Sequence, residues 1–278
     1  MPSLLPRRTS AAPAPLAHRG QRVLITGASS GIGAAFARRL AAEGSDLVLV
    51  ARRAERLEDL ARELASAHGA DVEVIAADLA APDASAGIRD ELARRGARVT
   101  ALIHSAGFAH NAPLVEIDPA DLREEIAVDV VAVADLTRLL LPDLLAAPAG
   151  YLVTLASVAA YQPNPLMAVY GASKAFVLSF TEALAEECRG TSLRVLAVSP
   201  GPVATEFFEV AGEAAGGGLP RTSPEAVVDA ALAALGRRSV PPSIVVGAAN
   251  RAMTTAGRLV PRRVVGRAVG TLMRRAKG

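Results

Sequence analysis

Tyr170 and Lys174 stand four residues apart in the run Tyr170-Gly171-Ala172-Ser173-Lys174. On a helix that spacing puts both side chains on one face, so a phenol and an ammonium can converge. The positive charge favours phenolate and is expected to pull the tyrosine pKa down from about 10. Such a phenol can give a proton to a carbonyl being reduced, or take one from an alcohol being oxidised. A solvated helix face often carries the same spacing, so the pair gains meaning only from what else points at it.

A second chemical stretch is Thr26-Gly27-Ala28-Ser29-Ser30-Gly31-Ile32-Gly33. It follows the apolar run Val23-Leu24-Ile25 and precedes a helix pattern from Ala34 to about Glu43. Strand, Gly-rich turn and helix form the context of a dinucleotide phosphate site. Gly27 permits the tight turn, Gly31 lets backbone approach a pyrophosphate, and Gly33 lets helix pack on strand. Ser29, Ser30 and Ile32 complete the turn, and the helix N-terminus offers free N–H groups to phosphate. The next strand, Asp46 to Val50, ends in Ala51-Arg52-Arg53. An NAD site places an acid near here for the ribose 2′-hydroxyl, yet none stands between Leu47 and Ala54. Arg52 and Arg53 suit a 2′-phosphate, so NADP(H) is the expected cofactor. The alternative is that both belong only to a solvated helix over residues 52–67. Asp78-Leu79 follows a third strand, Val72 to Ala76, where Asp78 can meet an adenine amino group or serve as a loop or N-cap residue.

The remaining elements must position these groups. Strand 101–103 runs into His104-Ser105-Ala106-Gly107. Asp118 can cap a short helix opened by Pro119. A long helix from about Leu122 to Leu141 is apolar on more than one face, which implies burial against the sheet and contact with a second subunit. Strand 150–156 ends at Ser157, and the Tyr170 helix runs to about Cys188. A sixth strand, 193–198, leads into Ser199-Pro200-Gly201-Pro202-Val203-Ala204-Thr205. Residues 205–220, with Phe207, Phe208 and three consecutive glycines, read as a mobile flap or as a variable loop packed on the core. Pro224 opens another helix, and 243–246 is the last strand. This alternation predicts an α/β fold: a Rossmann-like, doubly wound parallel sheet of about seven strands with helices on both faces.

Bulk properties narrow the function. With 278 residues, 51% hydrophobic and 21% charged, the chain suits one large domain with an aliphatic core, since aromatics are only 3%. A net charge of +2 gives nucleic-acid binding no bulk support. A single cysteine, Cys188, excludes an internal disulfide, and no Cys/His cluster has zinc spacing, so no metal is expected. A cytoplasmic setting fits, with no transmembrane run and no secretory signal. Residues 1–20 read as a disordered tail, 21–248 as one domain, and 249–278 as a basic amphipathic helical extension. That extension either packs on its own domain or reaches an anionic membrane or partner.

Together, Thr26–Gly33, Ser157, Tyr170 with Lys174, and Pro200–Thr205 resemble the short-chain dehydrogenase/reductase family over roughly residues 22–246. The resemblance implies that Ser157 hydrogen-bonds the substrate oxygen, Tyr170 is the acid/base, and Lys174 binds the nicotinamide ribose and lowers the tyrosine pKa. It places Ser105, Ala106 and Gly107 beside the cofactor, and Pro200, Gly201, Val203 and Thr205 beside the nicotinamide carboxamide. Arg52 and Arg53 look like its NADP-preferring branch. Two positions depart. The family's Asn-Asn-Ala-Gly reads His104-Ser105-Ala106-Gly107, where Ser105 gives up one bracing hydrogen bond. Its catalytic Asn is replaced by Asp129, whose carbonyl can still serve a proton relay and whose carboxylate can pair with Lys174.

The implied activity is NADPH-dependent reduction of a carbonyl in a ketone, aldehyde, 3-oxoacyl or steroid-like molecule, by a homodimer or homotetramer. The rival class is a cofactor-binding regulator or scaffold that docks through its C-terminal helix. A hydrolase is disfavoured, for there is no Gly-x-Ser-x-Gly elbow.

Overall fold

The computed structural model describes residues 18–277, so the expected tail lies almost wholly outside the described residues. Seven strands form one sheet: β1 (Arg22–Thr26), β2 (Asp46–Ala51), β3 (Val72–Ala76), β4 (Ala101–His104), β5 (Tyr151–Leu155), β6 (Arg194–Ser199) and β7 (Ser243–Val245). Their order is β3-β2-β1-β4-β5-β6-β7, and every pairing is parallel. The order reverses between β1 and β4, where Thr26 pairs with His104. In such sheets the crevice beyond the strand ends at this reversal is where ligands bind.

Ten α-helices are described: α1 (Gly31–Ala42), α2 (Ala54–His68), α3 (Ala84–Arg94), α4 (Pro119–Ile126), α5 (Ala132–Ala146), α6 (Ala168–Glu187), α7 (Phe207–Ala211), α8 (Pro224–Leu235), α9 (Ala248–Leu259) and α10 (Arg262–Lys277). Alternate strand residues face opposite layers. Val23, Ile25 and Leu49 meet α1, α2 and α8 through Phe36, Leu57 and Leu235. Leu24, Val48 and Leu102 meet α3, α5 and α6 through Ile88, Leu136 and Leu184. Burial on both faces explains why the strands read as continuous apolar runs.

Three details depart from expectation. The long helix is one rod made of α4, a π turn at Ala127–Val131, and α5. Asp118 caps its start, accepting from Ala120 N at 2.7 Å. Leu136, on the helix expected both to bury itself on the sheet and to meet a second subunit, is fully buried against the sheet and so is closed to a partner. The flap is folded: α7 is followed by a 3₁₀ turn at Glu213–Gly216, because Ala211 buries itself with Met167 and Met273 and Phe207 packs against them. The helical extension expected over residues 249–278 is two helices, with α9 ending just before Pro261. Among the described residues, no helix is long and apolar enough to cross a membrane, and no group of His, Cys, Asp or Glu could hold a metal ion.

Candidate active site

Strand β5 delivers Ser157 to the crevice, and α6 carries Tyr170 and Lys174 in its first two turns. The Ser157 hydroxyl accepts from Ala159 N at 3.1 Å, which fixes the side chain at the start of a 3₁₀ turn, beside Tyr170. Lys174 Nζ lies 5.5 Å from the Tyr170 ring centroid. It also lies 3.1 Å from Asp129 Oδ2, and Asp129 is 0% exposed. Phe108 N donates to Asp129 Oδ1 at 3.2 Å. A Cβ at Gly107 would stand 2.9 Å from both Asp129 Oδ1 and Lys174 Nζ, so a side chain there would press into the ion pair. The structure therefore brings all four expected catalytic residues together.

Their protonation differs from the sequence reading. The Tyr170 pKa lies above its ordinary 10.0, not below it. Burial, which penalises the phenolate, is the largest cause. The pull of Lys174 is opposed by the negative charges of Asp129 and Glu125. Burial works against the Lys174 ammonium too, but Asp129 and Tyr170 together hold its pKa above the ordinary lysine value. Burial likewise raises Asp129, against the attraction of Lys174.

Two partners escaped the sequence reading. Glu125 is buried one helical turn before Asp129, and its Oε2 accepts from His110 N at 3.0 Å and meets His110 Nδ1 at 2.9 Å. Two acids at i and i+4 on a largely apolar helix were the available signal. His104 is buried with Nε2 2.9 Å from Thr137 Oγ1, tying β4 to α5. Burial, aided by Lys174, pushes its pKa down to about 3, so it stays neutral.

The crevice holds a cavity of about 790 Å³ that runs from the Gly27 turn to α10. Its dinucleotide end is built by close backbone approach. A Cβ at Gly27 would stand 2.7 Å from Ala106 Cα, and one at Gly33 would stand 2.3 Å from Gly27 O. A Cβ at Gly31 would meet Thr205 Cγ2 at 2.9 Å, so that glycine admits the loop after β6. Ser105 N and Ala106 N both donate to Thr26 Oγ1 at 3.2 Å, and the bracing expected of an Asn falls to that threonine. Ile32 and Leu79 line the wall, while Asp78 Oδ1 closes a local turn by accepting from Ala80 N at 3.0 Å.

The two arginines diverge. Arg53 donates to Ser29 Oγ and Ser30 Oγ at 3.0 Å and pairs with Glu206 Oε2 at 2.7 Å. Arg52 turns to Glu124 on α4, at 2.9 Å. Glu206, which the sequence reading missed, also meets Arg56 at 2.5 Å. On the far side, Pro200 O accepts from Val158 N at 3.0 Å, and Val203 forms a bridge with Thr222. A Cβ at Gly201 would stand 2.6 Å from Asn250 Nδ2, so α9 seats itself on the Pro-Gly segment. This cradle fits a dinucleotide: glycine-walled backbone and an Arg53–serine cluster at one end, and Ser157, Tyr170 and Lys174 at the other.

Beyond Tyr170 the cavity becomes apolar. Phe207 lies 5.4 Å from the Tyr170 ring, centroid to centroid, and Phe208 lies 5.4 Å from Phe207. Met167, Val269 and Met273 complete that wall. Among the described residues, the cations lining the cavity are Arg52, Arg53 and Lys174.

Known proteins resemble this chain in sequence and fold. Residues 21–215 match the family model for short chain dehydrogenase. Sulfoacetaldehyde reductase 2 of Chromohalobacter salexigens is 42% identical over 187 residues, spanning 66% of this chain and 73% of the relative. The very-long-chain 3-oxoacyl-CoA reductase of Anas platyrhynchos is 32% identical over 230 residues, spanning 79% and 70%. A short-chain dehydrogenase from Sphingobium yanoikuyae, solved in complex with NADPH, is 35% identical, with a TM-score of 0.76 over 86% of this chain and 93% of that one. The chain belongs to the short-chain dehydrogenase family.

Proposed function

We propose that the chain is an NADPH-dependent reductase of an elongated, apolar carbonyl compound. The observation that carries this reading is the Ser157–Tyr170–Lys174 cluster beside a cavity end walled by Met167, Phe207, Val269 and Met273. When bound, the nicotinamide supplies a hydride to the carbonyl carbon. Ser157 and Tyr170 hydrogen-bond the carbonyl oxygen, and Tyr170 delivers its proton there. The raised Tyr170 pKa keeps that proton in place at neutral pH, which favours reduction over oxidation. Lys174 holds the ribose end and, through Asp129, remains charged. The apolar wall orders an acyl, ketone or steroid-like body and excludes water.

Arg53 supports the NADPH assignment. It stands with Ser29 and Ser30 beyond β2, where a 2′-phosphate would be met by charge-assisted hydrogen bonds. Arg53→Ala is expected to weaken NADPH binding by roughly 10- to 100-fold and leave NADH binding unchanged. Glu206→Gln, which frees Arg53 and Arg56, is expected to tighten NADPH binding. Fluorescence titration of both cofactors checks this, and equal weakening of NADH by Arg53→Ala removes the 2′-phosphate role.

Substrate length is the second test. Among the relatives, one is named for a short anionic aldehyde and another for a very long acyl thioester. Among the described residues, no cation lines the cavity beyond Tyr170 to receive a sulfonate. In NADPH-consumption assays, kcat/KM is expected to rise roughly fourfold per added methylene until the wall is covered. A flat response, or a preference for sulfoacetaldehyde, overturns the apolar assignment. A cofactor-binding regulator instead predicts NADPH binding with no turnover across the whole series. Self-association, where it occurs, would use the exposed Phe176, which stacks on Phe180 at 5.7 Å, in place of the buried Leu136.

A further inference from the structure

The C-terminal hairpin has a charge distribution unlike the rest of the chain. From Ala248 onward there are seven arginines, Lys277, and no Asp or Glu. The whole chain carries +2, so the other residues sum to −6. Eight uncompensated cations on two consecutive helices are far more than either helix needs for its own C-terminal dipole. Among described residues, no ion pair joins any of these arginines to an acid elsewhere. Their counter-charge therefore comes from solution or from another surface.

The position of the hairpin gives that charge a use. Val269 and Met273 of α10 face the cavity cluster, and Gly266 and Gly270 rest near Pro163 and Pro165. That contact consumes only one side of the helix. Val264, Ala268 and Leu272, at i, i+4 and i+8, form an adjoining stripe at the cavity rim. Val264 is 46% and Leu272 43% exposed. Leu259, at the turn joining α9 to α10, is 84% exposed. Arg263, Arg267 and Arg274 form a row on the far flank of the helix, also exposed. An exposed apolar stripe beside a row of arginines is the pattern of a helix lying in a bilayer interface. A protein partner could cover apolar residues, but eight like charges without one acid ask for a densely anionic surface.

We infer that the α9–α10 hairpin docks the cavity mouth onto an anionic lipid bilayer, so that apolar substrate passes between membrane and pocket without crossing water. The sense of the delivery rests on the reductase reading above; the docking itself does not, because it is measured without turnover. The contact is peripheral. Leu259, Val264 and Leu272 enter the headgroup boundary, while the arginines meet lipid phosphates.

The experiment is co-flotation of the full chain with vesicles of phosphatidylcholine alone and with one-third phosphatidylglycerol. Binding to the anionic vesicles only, lost at high salt, is expected. The triple variant Arg263→Gln, Arg267→Gln, Arg274→Gln should lower partitioning roughly hundredfold, at about one tenfold step or slightly less per arginine. Its reduction of a water-soluble carbonyl should match the wild type. Leu259→Asp should weaken docking with circular dichroism unchanged. Equal flotation with both vesicle types, no flotation, or wild-type partitioning of the triple variant overturns the inference. So does a dimer, seen by light scattering, that disperses in Leu259→Asp without any vesicle binding. A wild type that floats yet reduces nothing sinks the reductase reading and leaves docking intact.

Discussion

Tyr170→Phe lowers kcat for carbonyl reduction by about 10²- to 10⁴-fold, the range that a positioned general acid contributes, with little change in melting temperature or NADPH affinity. The substitution removes one hydroxyl, on a ring that stands beside both Ser157 and Lys174. The ring contact with Phe207 at 5.4 Å is kept. The wild-type pH profile carries the mechanism further. Burial places the folded Tyr170 pKa above 10.0, so the proton donor is present through the neutral range. The reduction rate is expected to stay level to about pH 10 and to fall only above it. The sign for stability agrees. The folded phenol holds its proton more tightly than the unfolded one, so its contribution is complete below 10.0 and is lost as pH rises through the folded value. Wild-type turnover by Tyr170→Phe, or a reduction rate that declines from pH 7, would mean that another group gives the proton.

The Asp129→Ala variant is expected to lose about 3–5 kcal/mol of stability, the usual consequence of leaving one member of a buried ion pair alone. In thermal unfolding that amounts to a fall on the order of 10 °C. Lys174 would keep its burial and lose the group 3.1 Å away that holds its proton. Its folded pKa would then drop below the unfolded value of 10.5. A depressed lysine penalises the folded state while the unfolded lysine remains protonated, and the penalty fades as pH rises toward 10.5. The gap in melting temperature between wild type and variant should therefore be widest near neutrality and narrow by about pH 10. Asp129→Asn, which keeps the shape, should lie between the two. A gap that does not change with pH would show that Asp129 acts by packing alone and not by charge.

Much of this was legible in residue order. Strand alternation and the Gly27–Gly33 turn specify the parallel sheet because both faces are buried and the phosphate turn has few alternatives in backbone geometry. Ser157, Tyr170 and Lys174 were readable because their roles depend on residue type and on one helical turn. What stayed hidden depends on net balances or on distant partners. The direction of the Tyr170 shift turns on how much burial outweighs Lys174 once Asp129 and Glu125 are counted, and no local spacing reports burial. Arg53 and Arg52 look equivalent in the chain, yet one faces Ser29 and Ser30 and the other Glu124, 72 residues away. Glu206 was invisible as a partner because the loop that carries it reads as flexible. Helix α9 was legible only as part of a basic extension, and not as a separate helix on the site, because it is short of buried apolar residues and contacts the site through Asn250 and a glycine.

The π turn at Ala127–Val131 accommodates one residue more than a regular helical path would. Upstream of it, Glu125 is aimed at His110; downstream, Leu136 and Leu140 are committed to the sheet. Deleting a single residue such as Ala127 would leave the composition of the rod almost untouched and restore a uniform helix. Because the π turn is what absorbs the extra residue, the two halves would keep nearly their present relation, and only the turn's own residues, Asp129 among them, would be re-aimed. The sheet contacts of Leu136 and Leu140 would stay, while the Asp129 carboxylate would lose its direction toward Lys174. In this chain the aim of Asp129 at Lys174 is thus written as a residue count, and a change of length can silence the site where no side chain has been replaced.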